Sequence, residues 1–279
     1  MSVLPVAARR PRLIATDLDG TVIGYRHTRS GRLSPRTIAA LRAAHEAGVV
    51  VVFVTGRPLR WLGPLQDQLG EVGPVICSNG AVVVDVAADR VLLSHALEPA
   101  AMDRVTARVR ALDPTATFGA EALEGFFWEE AFAADEFGQT RAATVEQALP
   151  AEATVVKLMA KSGRMDPDAF LAAVREVGEG LVTATHSAPG VPLVEMSAPG
   201  VHKAATLAEY AARHGIGAED VVAFGDMPND AEMLAWAGLG LAVASAHPSL
   251  REVADAVVGA CDDDGVAAAI EQLLALPGR

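Results

Sequence analysis

The chain of 279 residues is 51% apolar and carries a formal net charge of −12 at pH 7. This length and composition allow a sizeable core in one large domain or two modest ones, and they exclude an intrinsically disordered protein. The acidic balance disfavours nucleic acid and anionic membrane surfaces as partners. Two cysteines exclude a disulfide-stapled scaffold. The longest apolar run, Val49 to Val54, is too short to span a membrane, so we expect a cytoplasmic protein.

Strands and helices alternate in the first part of the chain. The segment 35–47 has Ser34 as a helix N-cap, Pro35 at the first helical position and Gly48 after its end. The uninterrupted apolar run 49–54 predicts a strand that is buried on both faces. The predicted elements are a strand at 12–16, a helix at 35–47, a strand at 49–54, a helix at 58–69 and a strand at 74–78. This order predicts a parallel sheet with helices on both faces.

In the middle of the chain, strands and helices do not alternate regularly, which predicts an α+β insert. Residues 126–128 form an aromatic patch that most often packs in a core, although such a patch could also select a substrate. The predicted elements are a hairpin at 82–95, a helix at 99–112, an irregular stretch at 115–135, a strand at 154–161, a helix begun by Asp166 and Pro167, and strands at 180–187 and 191–197.

The alternating order resumes towards the C-terminus. The predicted elements are a helix at 201–214, a strand at 221–225, a helix at 229–236, a strand at 239–244, a short helix at 247–254, a strand at 256–259 and a last helix at 264–275. We therefore predict an α/β core with a doubly wound parallel sheet, built from residues 1–82 and 198–279, and an inserted α+β domain at residues 83–197.

Polar residues follow the predicted core strands and should meet at one edge of the sheet. Ligands bind open α/β sheets outside the carboxyl ends of the strands. Asp17 and Asp19 alone could form an acidic turn, but like charges this close repel each other unless a cation lies between them. The stretches at this edge are DLDGT at 17–21, TGR at 55–57, DMPND at 226–230, and Lys203 at the start of a helix.

The residue types at this edge suit phosphoryl transfer. Asp17, Asp19 and Asp226 offer the hard oxygen ligands that Mg²⁺ prefers. One carboxylate could act as a nucleophile and a second as general acid and base. Thr55, Lys203 and the backbone N–H groups of the glycine-containing turns could bind the phosphoryl oxygens. Because each of these groups follows a strand or begins a helix at the same edge of the sheet, they predict an active site.

The four segments resemble the four motifs of the haloacid dehalogenase superfamily of phosphohydrolases, namely DLDGT, the threonine that ends VVVVFVT, Lys203 and GDMPND. The insert between the second and third motifs resembles the α/β cap of the Cof-type branch. ICSNGA at 76–81 and SAPGVHKAATL at 197–207 resemble that branch's own signatures. The resemblance covers the whole core. It implies a Mg²⁺-dependent phosphatase of small phosphorylated metabolites, with sugar phosphates as the first candidates. Separately, we expect a monomer or a small homo-oligomer.

The resemblance also implies a role for each motif residue. Asp17 is the expected nucleophile, and Asp19 is the expected acid and base, with a backbone carbonyl that ligates Mg²⁺. Asp17, Asp19, Asp226 and Asp230 form the expected metal site, in which Asp230 acts through water. The residues expected to bind the phosphoryl group are Thr55, Gly56, Lys203 and Asn229.

Two residues and two rival functions remain open. Arg57 and Asn79 lie beside the same edge and could contact phosphate or substrate, although Asn79 could equally be a turn residue. A phosphomutase or phosphotransferase would use the same catalytic set and return the phosphoryl group to a hydroxyl. A binding or regulatory protein could keep the scaffold, but we would expect it to have lost some of the motif residues.

Overall fold

The computed structural model describes residues 9–132, 140–186 and 190–278, which form two compact units. The first unit contains the chain up to Leu93 and the chain from His202 onward, and the second contains Ser94–Val201. Fourteen strands are found in the described residues: β1 (Leu13–Thr16), β2 (Val50–Val54), β3 (Val75–Cys77), β4 (Val82–Asp85), β5 (Arg90–Ser94), β6 (Thr117–Ala122), β7 (Gly125–Glu129), β8 (Thr140–Ala142), β9 (Val155–Lys161), β10 (Thr183–His186), β11 (Leu193–Ser197), β12 (Val221–Gly225), β13 (Leu239–Val243) and β14 (Ala256–Val258).

The α-helices of the described residues follow the predicted order, with the addition of the unpredicted short helix α4. They are α1 (Pro35–Glu46), α2 (Gln66–Leu69), α3 (Pro99–Leu112), α4 (Val145–Ala148), α5 (Pro167–Val177), α6 (Lys203–Arg213), α7 (Ala231–Trp236), α8 (Pro248–Val253) and α9 (Gly265–Leu274). The cap of α1 is the one the sequence predicts, since the Ser34 side chain accepts a hydrogen bond from the backbone N–H of Thr37 at 3.0 Å.

The first unit is built on an eight-stranded sheet with the order β14-β13-β12-β1-β2-β3-β4-β5. The six strands from β14 to β3 are parallel, and β4 is antiparallel to β3. From β1 the chain proceeds outward to β2 and β3, and after the second unit it proceeds from β12 outward to the other edge. This doubly wound order confirms the predicted α/β fold class and puts the topological switch point between β1 and β12.

Two segments of the first unit differ from the sequence-based expectation. The hairpin of β4 and β5, predicted to begin the insert, belongs to the sheet of the first unit, because β4 pairs with β3. The predicted helix 58–69 consists of two 3₁₀ turns followed by α2. Pro64 lacks a backbone N–H and its ring obstructs the preceding turn, so a continuous α-helix cannot pass through it.

The second unit has a six-stranded sheet with the order β10-β11-β9-β6-β7-β8. Its strands are antiparallel, except that β7 and β8 are parallel. Buried apolar residues of α3 and α5 pack with one face of this sheet in a single cluster that includes Val105, Phe118, Leu158 and Phe170. This is the α+β arrangement that the sequence predicts for the insert.

The stretch predicted to be irregular contains the hairpin of β6 and β7, and its last residues, 133–135, lie outside the described residues. The aromatic patch divides between the two faces of β7, because successive side chains of a strand point to opposite sides. Phe127 packs in the cluster with α3 and α5. Phe126 and Trp128 pack with Phe132 and Met159 in a separate cluster. The rings of Phe126 and Trp128 are stacked, with 5.3 Å between their centroids.

Among the described residues, no helix combines the length and the apolar character needed to cross a membrane. The longest, α3, has 14 residues, whereas a helical span needs about 20. This finding agrees with the short apolar runs of the sequence.

Candidate active site

Asp17 and Asp226 face each other at the switch point of the first sheet. Asp17 directly follows β1 and Asp226 directly follows β12, and these strands are neighbours. The backbone N–H of Asp17 donates to the carbonyl of Phe224 at 3.0 Å, which continues the pairing up to the site. Both aspartates are buried. One carboxylate oxygen from each of Asp17, Asp226 and Asp230 lies within 4.8 Å of the other two.

Lys203 is the cation of this cluster. It is the first residue of α6, and its Nζ donates to Oδ1 of Asp17 and to Oδ1 of Asp230, both at 2.7 Å. Burial by itself would lower the pKa of Lys203, but the charges of the two aspartates and their hydrogen bonds outweigh burial and raise the pKa. Lys203 is therefore a fixed positive charge at neutral pH.

The carboxylates of the cluster outnumber their cation. Burial raises the pKa of Asp17 well above its usual range, and the charges of Asp230 and Asp226 raise it further, against the opposing effect of Lys203. Burial also raises the pKa of Asp226 to about 6, again with a contribution from Asp230. Three buried hard-oxygen donors with one lysine leave negative charge to be neutralised. This donor set fits a divalent cation such as Mg²⁺.

Asp230 stabilises the turn that presents Asp226. Its Oδ2 accepts hydrogen bonds from the backbone N–H groups of Asp226 and Met227, both at 3.1 Å. Its other oxygen accepts from Lys203. The sequence-based interpretation gave Asp230 only a water-mediated metal contact, whereas its carboxylate also holds the backbone and the lysine in place.

Asp19 and Arg57 form a bidentate ion pair. Nε and Nη2 of Arg57 donate to the two carboxylate oxygens of Asp19 at 2.7 Å and 2.6 Å. Nη2 also donates to the carbonyl of Thr28 at 2.6 Å, and the arginine side chain is buried. The sequence suggested a substrate contact for Arg57, but in this structure its guanidinium is bound to Asp19 and the chain.

The remaining predicted residues lie together beside this pair. The Thr55 hydroxyl accepts a hydrogen bond from the backbone N–H of Arg57 at 3.1 Å. The side-chain amide of Asn229 donates to Oδ1 of Asn79 at 3.3 Å. A Cβ atom at Gly56 would lie 3.1 Å from the same Asn79 oxygen, so glycine permits this close approach. Asn79 has a left-handed backbone with φ of 56°, a conformation that asparagine tolerates better than most residues.

Two residues of the cluster were not named by sequence reasoning. The Thr21 hydroxyl lies 3.4 Å from Oδ2 of Asp17 and 3.3 Å from Oδ1 of Asp226. Its position inside the DLDGT stretch was the signal that could have identified it. The Tyr25 hydroxyl donates to Oδ2 of Asp226. No pattern in the sequence indicates this contact, because 201 residues separate the two side chains.

A doubly wound sheet that gathers buried carboxylates and a lysine at its switch point is the architecture of an α/β enzyme. The chain belongs to the haloacid dehalogenase-like hydrolase family, whose model matches residues 14–270. The resemblance noted in the sequence is thereby confirmed, and the match includes all four motif segments.

Two phosphatases and a solved structure are similar to this chain over more than nine-tenths of its length. Phosphoglycolate phosphatase from Methanothermobacter thermautotrophicus is 28% identical over 265 residues, which is 94% of this chain and 99% of that protein. Pyridoxal phosphate phosphatase YbhA from Escherichia coli is 28% identical and covers 92% of this chain and 96% of its own length. The structure of BT1666 from Bacteroides thetaiotaomicron is similar with a TM-score of 0.80, at 23% identity, over 97% of this chain and 98% of that one.

Proposed function

We propose that this protein is a Mg²⁺-dependent phosphatase that hydrolyses phosphate monoesters of small metabolites, with sugar phosphates as the first candidates, through an aspartyl-phosphate. The observation that carries the proposal is the arrangement of Asp17, which is buried beside Lys203 at the switch point and has two further carboxylates within 4.8 Å. The named relatives support the substrate class, because phosphoglycolate and pyridoxal phosphate are both small phosphate monoesters.

In the proposed first step a carboxylate oxygen of Asp17 attacks the phosphorus atom. A bond forms between this oxygen and phosphorus, the bond from phosphorus to the ester oxygen breaks, and Asp19 gives its proton to the departing oxygen. Lys203 already lies 2.7 Å from Oδ1 of Asp17. A fixed ammonium at this position stabilises the negative charge of the phosphoryl oxygens in the transition state.

In the proposed second step a water molecule attacks the phosphorus atom of the aspartyl-phosphate. Asp19, now ionised, accepts a proton from the water, the bond between Asp17 and phosphorus breaks, and inorganic phosphate leaves. Thr55 supports this step as a phosphate ligand, because its hydroxyl accepts from the backbone N–H of Arg57 and keeps its own hydrogen for donation.

The metal ion would be held by Asp17 and Asp226 together with the backbone carbonyl of Asp19. When bound, Mg²⁺ supplies positive charge that offsets the crowded carboxylates and the phosphoryl oxygens. The support for this ligand set is the excess of buried carboxylates over lysine, since burial and then the neighbouring carboxylate charges raise the pKa of Asp17 and Asp226.

The ion pair with Arg57 has a consequence for the proposed acid. Both carboxylate oxygens of Asp19 accept hydrogen bonds from the guanidinium. A carboxylate in this arrangement has no proton to give. We infer that Asp19 leaves this ion pair and takes up a proton from the solvent before the first step, and that it then donates this proton to the leaving oxygen of the substrate.

A panel of phosphate monoesters tests the proposal. We expect hydrolysis of p-nitrophenyl phosphate and of at least one metabolite in a panel of sugar phosphates, phosphoglycolate and pyridoxal phosphate, abolished by EDTA and restored by Mg²⁺. Release of inorganic phosphate and formation of phosphorylated isomers are measured in parallel. Phosphoryl transfer to a second hydroxyl without phosphate release would contradict a phosphatase and indicate a mutase. No turnover of any compound would instead indicate a binding protein.

A further inference from the structure

Tyr25 is an exposed aromatic residue whose hydroxyl reaches a buried carboxylate. It lies in the 3₁₀ turn Tyr25–His27, which contributes no buried residue, and its side chain is 59% exposed. Packing therefore does not explain the position of this ring. Its hydroxyl donates to Oδ2 of Asp226, which is only 2% exposed. The contact at the hydroxyl, rather than the burial of the ring, distinguishes this tyrosine.

The site has room for this contact because Gly20 lies under it. A Cβ atom at Gly20 would lie 2.1 Å from Oδ2 of Asp226 and 2.6 Å from the Tyr25 hydroxyl oxygen, closer than any side chain permits. Gly20 also has a φ of 84°, a left-handed conformation that favours glycine. The loop after β1 is thus shaped so that Tyr25 and Asp226 can meet over its backbone.

Asp226 differs from the other two acids of the cluster in the donors that it receives. Lys203 gives its hydrogen bonds to Asp17 and Asp230. The side chain of Asp226 is contacted by two neutral hydroxyl groups, Tyr25 on Oδ2 and Thr21 on Oδ1. The hydroxyl groups of Tyr25 and Thr21 therefore fix the orientation of the Asp226 carboxylate, which Lys203 does not contact.

We propose that Tyr25 is a positioning residue for the metal site, which orients the carboxylate of Asp226 through Oδ2 while the carboxylate retains lone pairs to bind the metal. This inference rests on the proposed function, because it assumes that Asp226 is a metal ligand. Outer groups that orient a ligating carboxylate typically contribute 10- to 100-fold to metal affinity. The hydroxyl of Tyr25 has the position of such a group.

The test is the affinity of the substrate-free protein for Mg²⁺, measured by calorimetric titration. Tyr25→Phe removes only the hydroxyl from an exposed ring, and we expect it to weaken Mg²⁺ binding by about tenfold or more. In steady-state assays the Mg²⁺ concentration for half-maximal activity should rise by a similar factor, while kcat at saturating Mg²⁺ should stay close to that of the wild type. Thermal unfolding without Mg²⁺ verifies that the variant is folded.

The matched control is Tyr210→Phe. The chain has two tyrosines, and Tyr210 lies in α6 with its ring against His214, so this variant removes the other phenol hydroxyl and should bind Mg²⁺ like the wild type. Unchanged or tighter Mg²⁺ binding by Tyr25→Phe would overturn the role of Tyr25 and leave the phosphatase proposal intact. No Mg²⁺ binding by the wild-type protein would overturn both.

Discussion

Two regions of the molecule bury carboxyl groups, and the pKa values of these groups move in opposite directions. In the second unit, Asp113 is fully buried at the end of α3. It accepts hydrogen bonds from the Ser162 hydroxyl at 2.5 Å, from the backbone N–H and hydroxyl of Thr115 at 2.9 Å and 2.7 Å, and from Arg164 at 2.9 Å. Burial alone would raise its pKa, but these donors lower the pKa to about 2.

In the first unit, the effect of burial on the pKa outweighs the effect of the hydrogen-bond donors. Asp17 and Asp226 are also buried, but their donors are few and their nearest neighbours include other carboxylates. Burial and mutual repulsion raise the pKa of Asp17 well above its usual range and that of Asp226 to about 6. The comparison shows that burial by itself does not mark a site. A buried carboxylate with enough donors stabilises the fold, whereas buried carboxylates that crowd together with too few donors create a place for a cation.

The largest expected effect is on catalysis. Asp17→Asn keeps the shape of the side chain but removes the nucleophile, and we expect kcat for p-nitrophenyl phosphate to fall by about 10³-fold or more. Asp113→Asn changes a buried carboxylate in the same way outside the site and is the matched control. Its kcat should stay within about threefold of the wild type, because the Asp113 carboxylate is bound by residues of the second unit and takes no part in the proposed steps. Equal losses in the two variants would contradict the distinction between the two regions.

The next effect is on stability. Lys203→Met removes the shared cation and leaves Asp17 and Asp230 without their ion-pair partner, and we expect a loss of about 3–5 kcal/mol in the free energy of unfolding, measured in EDTA. The control is Arg213→Met on the same helix, whose pair with Glu209 is solvent-exposed. That change should cost less than about 1 kcal/mol. Similar costs for both variants would mean that the buried cluster does not depend on its lysine.

A smaller effect is expected from the metal itself. A ligand that binds only the folded state at a concentration of 100 times its Kd stabilises that state by about 2.7 kcal/mol. Mg²⁺ should raise the free energy of unfolding of the wild-type protein and of Asp113→Asn by this amount. In Asp226→Asn the increase should largely disappear. An undiminished response of Asp226→Asn, followed by denaturant unfolding with and without Mg²⁺, would exclude Asp226 as a ligand.

The smallest effect is a pH dependence with opposite signs in the two regions. Without metal, the raised pKa of Asp226 means that the folded state binds more protons than the unfolded state between about pH 4 and pH 6. The free energy of unfolding should therefore increase through Asp226 as the pH is lowered from 7 to 5. Its dependence on pH should be shallower in Asp226→Asn. The contribution of Asp113 is complete above its unfolded pKa of 3.8 and is lost as the pH falls towards 2. An identical slope for the wild type and Asp226→Asn in EDTA would contradict this account.

Much of the first unit could be predicted from its sequence, because its strands are uninterrupted apolar runs and its helices carry recognisable caps. β12 has the predicted bounds, and β1 and β2 each begin one residue later than predicted. The site residues could be predicted for the same reason, because each follows a recognisable strand or begins a helix. Their assigned roles remain proposals.

Other features depend on contacts that no local pattern encodes. β6 and β7 were not predicted because they are covered on both faces, so apolar and polar residues do not alternate along them. The hairpin of β4 and β5 could be predicted as a hairpin, but not its attachment to β3. The ion pair of Arg57 with Asp19 and the hydrogen bond of Tyr25 to Asp226 join residues 38 and 201 positions apart, and only the fold brings them together.

The central claim is that Asp17 carries the phosphoryl group during the reaction. The most direct measurement is acid quenching of the enzyme during turnover of a phosphate monoester, followed by peptide mass spectrometry. We expect a phosphoryl group on Asp17 in the wild-type protein and none at this position in Asp17→Asn. A phosphoryl group on another residue, or full turnover without any phosphorylated peptide in the wild-type protein, would contradict it.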